Sequence, residues 1–84
     1  MSLVSVRVVF QDPGEDKSQA EFELVELLAG VGFKVAENEA LAVAETAKAA
    51  IEIVSPVSGE VREIFLEPGK IYHHGDVLCT IETA

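Results

Sequence analysis

Glu39-Ala40-Leu41-Ala42-Val43-Ala44-Glu45-Thr46-Ala47-Lys48-Ala49-Ala50-Ile51-Glu52-Ile53 is the stretch whose reading decides the fold. Taken alone it is rich in Ala and Glu, with Asn38 placed as an N-cap, and intrinsic propensity predicts a helix over 39–53. Residues 18–29 invite the same reading, with Ser18 as a cap and Gly30 as a stop. Comparing the chain with itself reverses both. Sliding it by 37 positions lays 23–47 on 60–84, and seven of the 25 pairs are identical: Glu23/Glu60, Glu26/Glu63, Gly32/Gly69, Leu41/Leu78, Glu45/Glu82, Thr46/Thr83 and Ala47/Ala84. Leu27/Ile64, Leu28/Phe65, Val35/Tyr72 and Glu39/Asp76 are conservative matches. The second copy, Asp76 to Ala84, carries Val77, Cys79, Thr80 and Ile81 and prefers strand. Copies that fold alike make the Ala-rich stretch a strand too, with tertiary context overriding propensity.

Outward from the repeat, the rest of the chain agrees. Val4, Val6, Val8 and Phe10 alternate with polar residues over Leu3 to Phe10, which is the period of a half-buried strand. Asp12-Pro13-Gly14 ends that run, and 12–21 reads as a polar loop. Further punctuation falls at Gly30-Val31-Gly32, Ser55-Pro56 to Gly59, Pro68-Gly69 and Gly75-Asp76, leaving short segments between. The prediction is an all-β single domain over 1–84: a flattened barrel or sandwich of two four-stranded antiparallel sheets, related by an internal pseudo-two-fold between the halves 23–47 and 60–84. A rotation of that kind sets the Lys48 turn and the C-terminus at equivalent, separated points, so a tether at the C-terminus leaves the lysine facing outward.

Composition narrows the function. The 84 residues bury only about 60% of their unfolded surface, which leaves little room for a deep active-site cleft. Fifteen Asp and Glu against six Lys and Arg give a net charge of -9, so the surface repels nucleic acid and anionic membranes. No apolar run approaches the roughly 20 residues that span a bilayer, and Arg7 interrupts the N-terminal apolar stretch where a signal peptide is uninterrupted. The single cysteine, Cys79, excludes an intramolecular disulfide and suits a reducing compartment. The expected location is cytoplasmic, or the mitochondrial matrix in a eukaryote.

Catalytic constellations are scarce. Ser55 and Ser58 have no nucleophile-elbow context, and no glycine-rich phosphate loop is present. His73-His74 are neighbours on a strand and point to opposite faces, which reads as solvated histidines rather than a metal pair. Cys79 lies in an apolar segment and reads as a small core hydrophobe. The informative spot is Glu45-Thr46-Ala47-Lys48-Ala49-Ala50. At the tip of a hairpin, Lys48 has small neighbours that leave its amine open to a modifying enzyme. Attack on an activated acid requires loss of the ammonium proton, and the resulting amide removes one positive charge.

These residues resemble the lipoyl domain of 2-oxoacid dehydrogenase dihydrolipoamide acyltransferases. The family pattern is Glu-Thr-Asp-Lys-Ala, an alternating strand, then Ser-Pro-x-x-Gly; here Glu45-Thr46-Ala47-Lys48-Ala49 is followed by Ile51-Glu52-Ile53-Val54 and Ser55-Pro56-Val57-Ser58-Gly59. Glu67-Pro68-Gly69-Lys70, Gly75-Asp76-Val77-Leu78 and Ile81-Glu82 match the family's second half, and Asp12-Pro13-Gly14-Glu15 stands where the family has Asp-Ile-Gly-Glu. The resemblance covers 22–84 well and 1–21 loosely. It implies a carrier without its own active site, part of an acyltransferase component, with lipoate in amide linkage on Lys48. Ala47 and Ala49 would flank the attachment turn, and Glu45 and Thr46 would contribute to recognition. The implied partners are a thiamine-diphosphate-dependent 2-oxoacid decarboxylase that reductively acylates the swinging arm, the acyltransferase core that passes the acyl group to coenzyme A, a dihydrolipoamide dehydrogenase, and a lipoate ligase or lipoyl transferase.

Two positions depart from the pattern. Ala47 replaces the aspartate that precedes the lysine and contributes to decarboxylase recognition in family members. Phe22-Glu23 stand near a position where many members have a small residue or glycine. Two alternatives belong to other classes: a biotinyl carrier of a carboxylase, which would place Met on both sides of the lysine, and an unmodified structural or adaptor domain, for which Ala47 is the best argument. No feature of the chain selects a 2-oxo acid. The second repeat copy runs to the last residue, as expected of a domain cut from a longer acyltransferase.

Overall fold

The computed structural model describes residues 2–9, 21–46 and 49–83. Eight strands make up their regular structure: β1 Ser2–Arg7, β2 Glu21–Leu27, β3 Lys34–Val35, β4 Ala40–Glu45, β5 Ala50–Val54, β6 Gly59–Ile64, β7 Ile71–His73 and β8 Val77–Thr83. They form two four-stranded antiparallel sheets, ordered β1-β8-β6-β3 and β5-β4-β2-β7. Among the described residues there is no helix, so none is long and apolar enough to cross a membrane.

The repeat appears in the register. On one sheet Glu23, Leu24, Glu26 and Leu27 face Glu45, Ala44, Val43 and Ala42. On the other, Glu60, Val61, Glu63 and Ile64 face Glu82, Ile81, Thr80 and Cys79, each shifted by 37 and with the irregularity at the same step. Exchanging β1–β4 with β5–β8 turns one sheet order into the other. Applied twice, that exchange restores every strand, so in a chiral chain the relating operation is a two-fold rotation. Turns obey it as well. Gly32 and Gly69 take φ of 91° and 88°, and Asn38 and Gly75 take 72° and 94°. β1 and β5 correspond at an offset of 47 (Val4 faces Ile81 as Ile51 faces Ala44), so the connection entering β2 is longer than its counterpart by the difference, ten residues.

The two stretches with helical propensity are β2 and β4–β5. Asn38 caps no helix; it occupies the left-handed region in the turn between β3 and β4, which asparagine tolerates better than most residues. Its N–H donates to the Ser55 carbonyl at 2.7 Å, and the Glu39 carboxylate accepts from the Ala36 N–H at 2.9 Å. Leu41, Ala42 and Ala44 are buried with Leu78, Cys79 and Ile81, their counterparts in β8. Val6 from β1 and Val8 just beyond its end fill the same core. Phe10 and residues 12–20 of the loop expected over 12–21 lie outside the described residues, and Glu21, the last residue of that expected loop, instead begins β2.

Half-to-half differences sit at the core's edge. Phe22 is buried and packs on Tyr72 with ring centroids 6.0 Å apart and planes at 37°. Its counterpart is Gly59, paired with Val35. A Cβ at Gly59 would collide with the Glu82 carbonyl oxygen and lie 2.8 Å from Ile81 Cγ2. β6 thus runs against β8 too closely for any other residue at 59.

Candidate functional site

β4 and β5 are consecutive and pair from Ala40↔Val54 to Glu45↔Ala50. One step beyond that last pair, the Thr46 N–H donates to the Ala49 carbonyl at 2.9 Å. The Thr46 hydroxyl adds two bonds, donating to the Ala49 carbonyl at 3.1 Å and accepting from the Ala49 N–H at 3.2 Å. A hairpin closed at 46 and 49 leaves two residues in its connection, the shortest common length. Those two are Ala47 and Lys48, which lie outside the described residues. Of the residues singled out from sequence, Glu45, Thr46 and Ala49 are therefore placed together at one hairpin end. Glu45 and Ala49 are exposed, and Ala50 beside them presents only a methyl group.

By the two-fold, the counterpart of this hairpin end is the pairing of Leu3 with Glu82 and Ser2 with Thr83, next to both ends of the chain. The hairpin end and the paired residues Ser2 and Thr83 thus belong to different sheets.

The other reactive side chains have structural work. Cys79 is buried, and desolvation raises its thiol to about 11, far from a thiolate at neutral pH. Ser55 is buried and its hydroxyl donates to the Val57 carbonyl. The Ser58 hydroxyl accepts from the Glu37 N–H at 3.0 Å. His73 Nε2 faces a Glu21 carboxylate oxygen at 3.4 Å. The Lys70 ammonium meets the Glu67 carboxylate at 2.9 Å, and this hydrogen bond and charge raise its pKa.

Sequence reasoning missed the surface beside the hairpin. An open groove is lined by Glu21, Phe22, Glu23, Glu45, Thr46 and Ile71, drawn from β2, β4 and β7 and reaching the residue that closes the hairpin. Ile71 is exposed although it lies in a strand. The signal was present in the repeat, because 37 positions before Ile71 stands Lys34.

Known proteins share this family and this fold. The biotin- and lipoyl-attachment family, described as biotin-requiring enzyme, matches residues 7–81. The lipoamide acyltransferase component of the branched-chain alpha-keto acid dehydrogenase complex of Pseudomonas putida is 39% identical over 74 residues, which is 88% of this chain and 18% of that protein. The dihydrolipoyllysine-residue acetyltransferase component of the pyruvate dehydrogenase complex of Staphylococcus aureus is 34% identical over 73 residues, 87% of this chain and 17% of that protein. The chain spans less than a fifth of the length of these relatives. Among solved structures, the urea carboxylase of Kluyveromyces lactis superposes with a TM-score of 0.77 at 17% identity, over 98% of this chain and 6% of that one. A single-chain, multi-domain long-chain acyl-CoA carboxylase gives 0.69 at 26% identity, over 92% of this chain and 8% of that one.

Proposed function

The chain belongs to the biotin- and lipoyl-attachment family, and from that premise we propose that it is a lipoyl carrier domain whose Lys48 holds lipoate in amide linkage. The observation that carries this reading is the hairpin end: Thr46 and Ala49 close it and leave a two-residue connection, the second residue of which is the lysine. The names of the acyltransferase relatives support lipoate as the group attached.

The fit is chemical as well as positional. A lysine offers the one side-chain amine that forms a stable amide with a carboxylic acid, and Ala47, Ala49 and Ala50 bring no bulk or charge beside it. Lys48 must first lose a proton from its ammonium group (reference pKa about 10.4); its nitrogen then displaces the activating group of the acid. The product takes the formal charge of the chain from -9 to -10. Bound lipoate supplies a redox-active dithiolane that takes up and gives up an acyl group. The protein contributes none of that bond chemistry. Its residues close the hairpin on either side of the attachment point, through Thr46 and Ala49, and offer a surface for the enzymes that act there.

In this reading the chain is the carrier segment of an acyltransferase component. It serves a thiamine-diphosphate 2-oxoacid decarboxylase, the acyltransferase core and a dihydrolipoamide dehydrogenase, after a lipoate ligase or lipoyl transferase has modified it. The expected location is cytoplasmic, or the mitochondrial matrix in a eukaryote.

A biotinyl carrier is the second reading, favoured by the superposition on the long-chain acyl-CoA carboxylase at 26% identity. Against it stand Ala47 and Ala49, where the methionines of biotin carriers are expected by resemblance. The test is a pair of parallel incubations, one with lipoate, ATP and a lipoate ligase, the other with biotin, ATP and a biotin ligase. Lipoyl addition alone, lost in Lys48→Ala, is expected. Biotinyl addition overturns the proposal in favour of a carboxylase carrier, and no addition in either incubation overturns it in favour of an unmodified adaptor.

A further inference from the structure

The two-fold makes each sheet's outer face a comparison for the other. On the β1-β8-β6-β3 sheet a cross-strand row runs Lys34, Glu60, Glu82. Two glutamates directly opposite each other repel, and this sheet supplies cations for them. Lys34 stands opposite Glu60, and Arg62, at the irregularity in β6, places Nη1 3.5 Å from Glu60 Oε2 and 3.5 Å from Glu82 Oε1.

On the β5-β4-β2-β7 sheet the corresponding row is Ile71, Glu23, Glu45, and the residue at the irregularity in β2 is Val25. The opposed glutamates are kept and both cations are gone. In their places stand two exposed aliphatic side chains, Val25 at 46% and Ile71 at 57% exposure. No ion pair among the described residues involves Glu23 or Glu45. Their carboxylates and Ile71 line the groove that reaches Thr46 at the hairpin end. Among the described residues no cation compensates this anionic pair, and two glutamates directly opposite each other cost the isolated domain stability. The other sheet shows how a cation resolves the conflict.

We propose that this face docks the enzyme that loads the hairpin lysine's group, through a partner arginine or lysine placed between Glu23 and Glu45 with aliphatic side chains packed on Val25 and Ile71. The proposal rests on the carrier reading, since it takes its partner from it. The guest cation occupies the place that Arg62 holds on the opposite sheet, so the chain itself contains the template for the contact. Desolvation by the flanking aliphatics strengthens the charge pairing beyond its worth in water.

The test transplants the cations. Val25→Arg with Ile71→Lys fills the site from within; Arg62→Val with Lys34→Ile is the mirror change on the other sheet. Each protein is lipoylated, checked by intact mass, and used as substrate for a thiamine-diphosphate 2-oxoacid decarboxylase that reductively acylates the unaltered chain. The transplant is expected to melt at or above the unaltered domain's Tm and to accept lipoate normally. Its KM for reductive acylation is expected to rise about tenfold, a loss of about 1.4 kcal/mol, with kcat preserved. The mirror variant is expected to keep its KM, and salt is expected to raise the KM of the unaltered chain more than that of the transplant. A transplant KM within about twofold of the unaltered value overturns the docking face and leaves the carrier reading standing. So does a KM that rises equally in the mirror variant. Failure of the unaltered chain to accept lipoate overturns the carrier reading, and the docking proposal with it.

Discussion

Gly59→Ala adds one methyl group, and its cost follows from where that methyl lands. The new Cβ would overlap the carbonyl oxygen of Glu82 and sit 2.8 Å from Ile81 Cγ2, against an ordinary carbon–carbon contact of about 3.5–4.0 Å. The obstacle is the backbone of β8 at its pairing with β6, where Glu60 faces Glu82 and Val61 faces Ile81. No side-chain rotation relieves it. β6 must move away from β8, lengthening ladder hydrogen bonds and loosening Val61 and Ile81, both fully buried. Overpacking against an unyielding neighbour costs about 1–3 kcal/mol, and the backbone involvement places this site at the upper end. For a domain of this size about 3 kcal/mol lowers Tm by about 12–24 °C. The assay is thermal unfolding followed by circular dichroism, with Gly30→Ala as control. A Cβ at Gly30 meets only Phe33 at 3.5 Å, and Gly30 is absent from the positive-φ glycines, so that variant is expected within about 0.5 kcal/mol of the parent or slightly above it. A Gly59→Ala domain melting within about 3 °C of the parent refutes the close approach of β6 and β8.

Thr46→Val removes the hydroxyl that binds both the carbonyl and the N–H of Ala49, and is expected to cost about 1 kcal/mol, read as a Tm lower by about 4–8 °C. Cys79 gives a pH signature. Below about pH 9 the thiol is protonated in both states; between 9 and 11 the unfolded chain releases its proton and the folded one does not, so stability falls as pH rises and levels off above 11. The loss is about 2 kcal/mol across that window, and denaturant titrations of Cys79→Ala should lack that component of the slope. Ala47→Asp restores the family's acidic neighbour of the lysine and is expected to raise the reductive acylation rate; an unchanged rate removes any role for that position.

The fold was legible mainly because the chain could be compared with itself. Local signals around Leu41 and Ala42 point the wrong way: both are alanine-rich helix formers in context, and both are buried although adjacent, which strict strand alternation forbids. The register shift between Ala40 and Ala42 in the pairing with β5 explains the double burial, and Leu78 with Cys79 repeats it in β8. A bulge of this kind is invisible to periodicity, whereas a repeat carries it silently in both copies. β1 escaped the comparison because it matches β5 at an offset of 47 rather than 37.

The hairpin end was legible because its residues are consecutive: Glu45, Thr46 and Ala49 meet where the sequence puts them. The groove beside it was not, because Ile71, Glu23 and Glu45 become neighbours only through two cross-strand pairings. Phe22, which stood out only as a departure, turned out to pack on Tyr72 in the core.

The most direct test of the account is peptide mapping of the chain isolated from cells supplied with lipoate. Trypsin cleaves after unmodified lysine, so an amidated Lys48 leaves 35–62 as one uncleaved peptide between Lys34 and Arg62. That peptide is expected, heavier by a single lipoyl group, with fragment ions locating the addition on Lys48. Quantitative cleavage after Lys48 in a lipoylation-competent host, or a biotinyl group in its place, would contradict it.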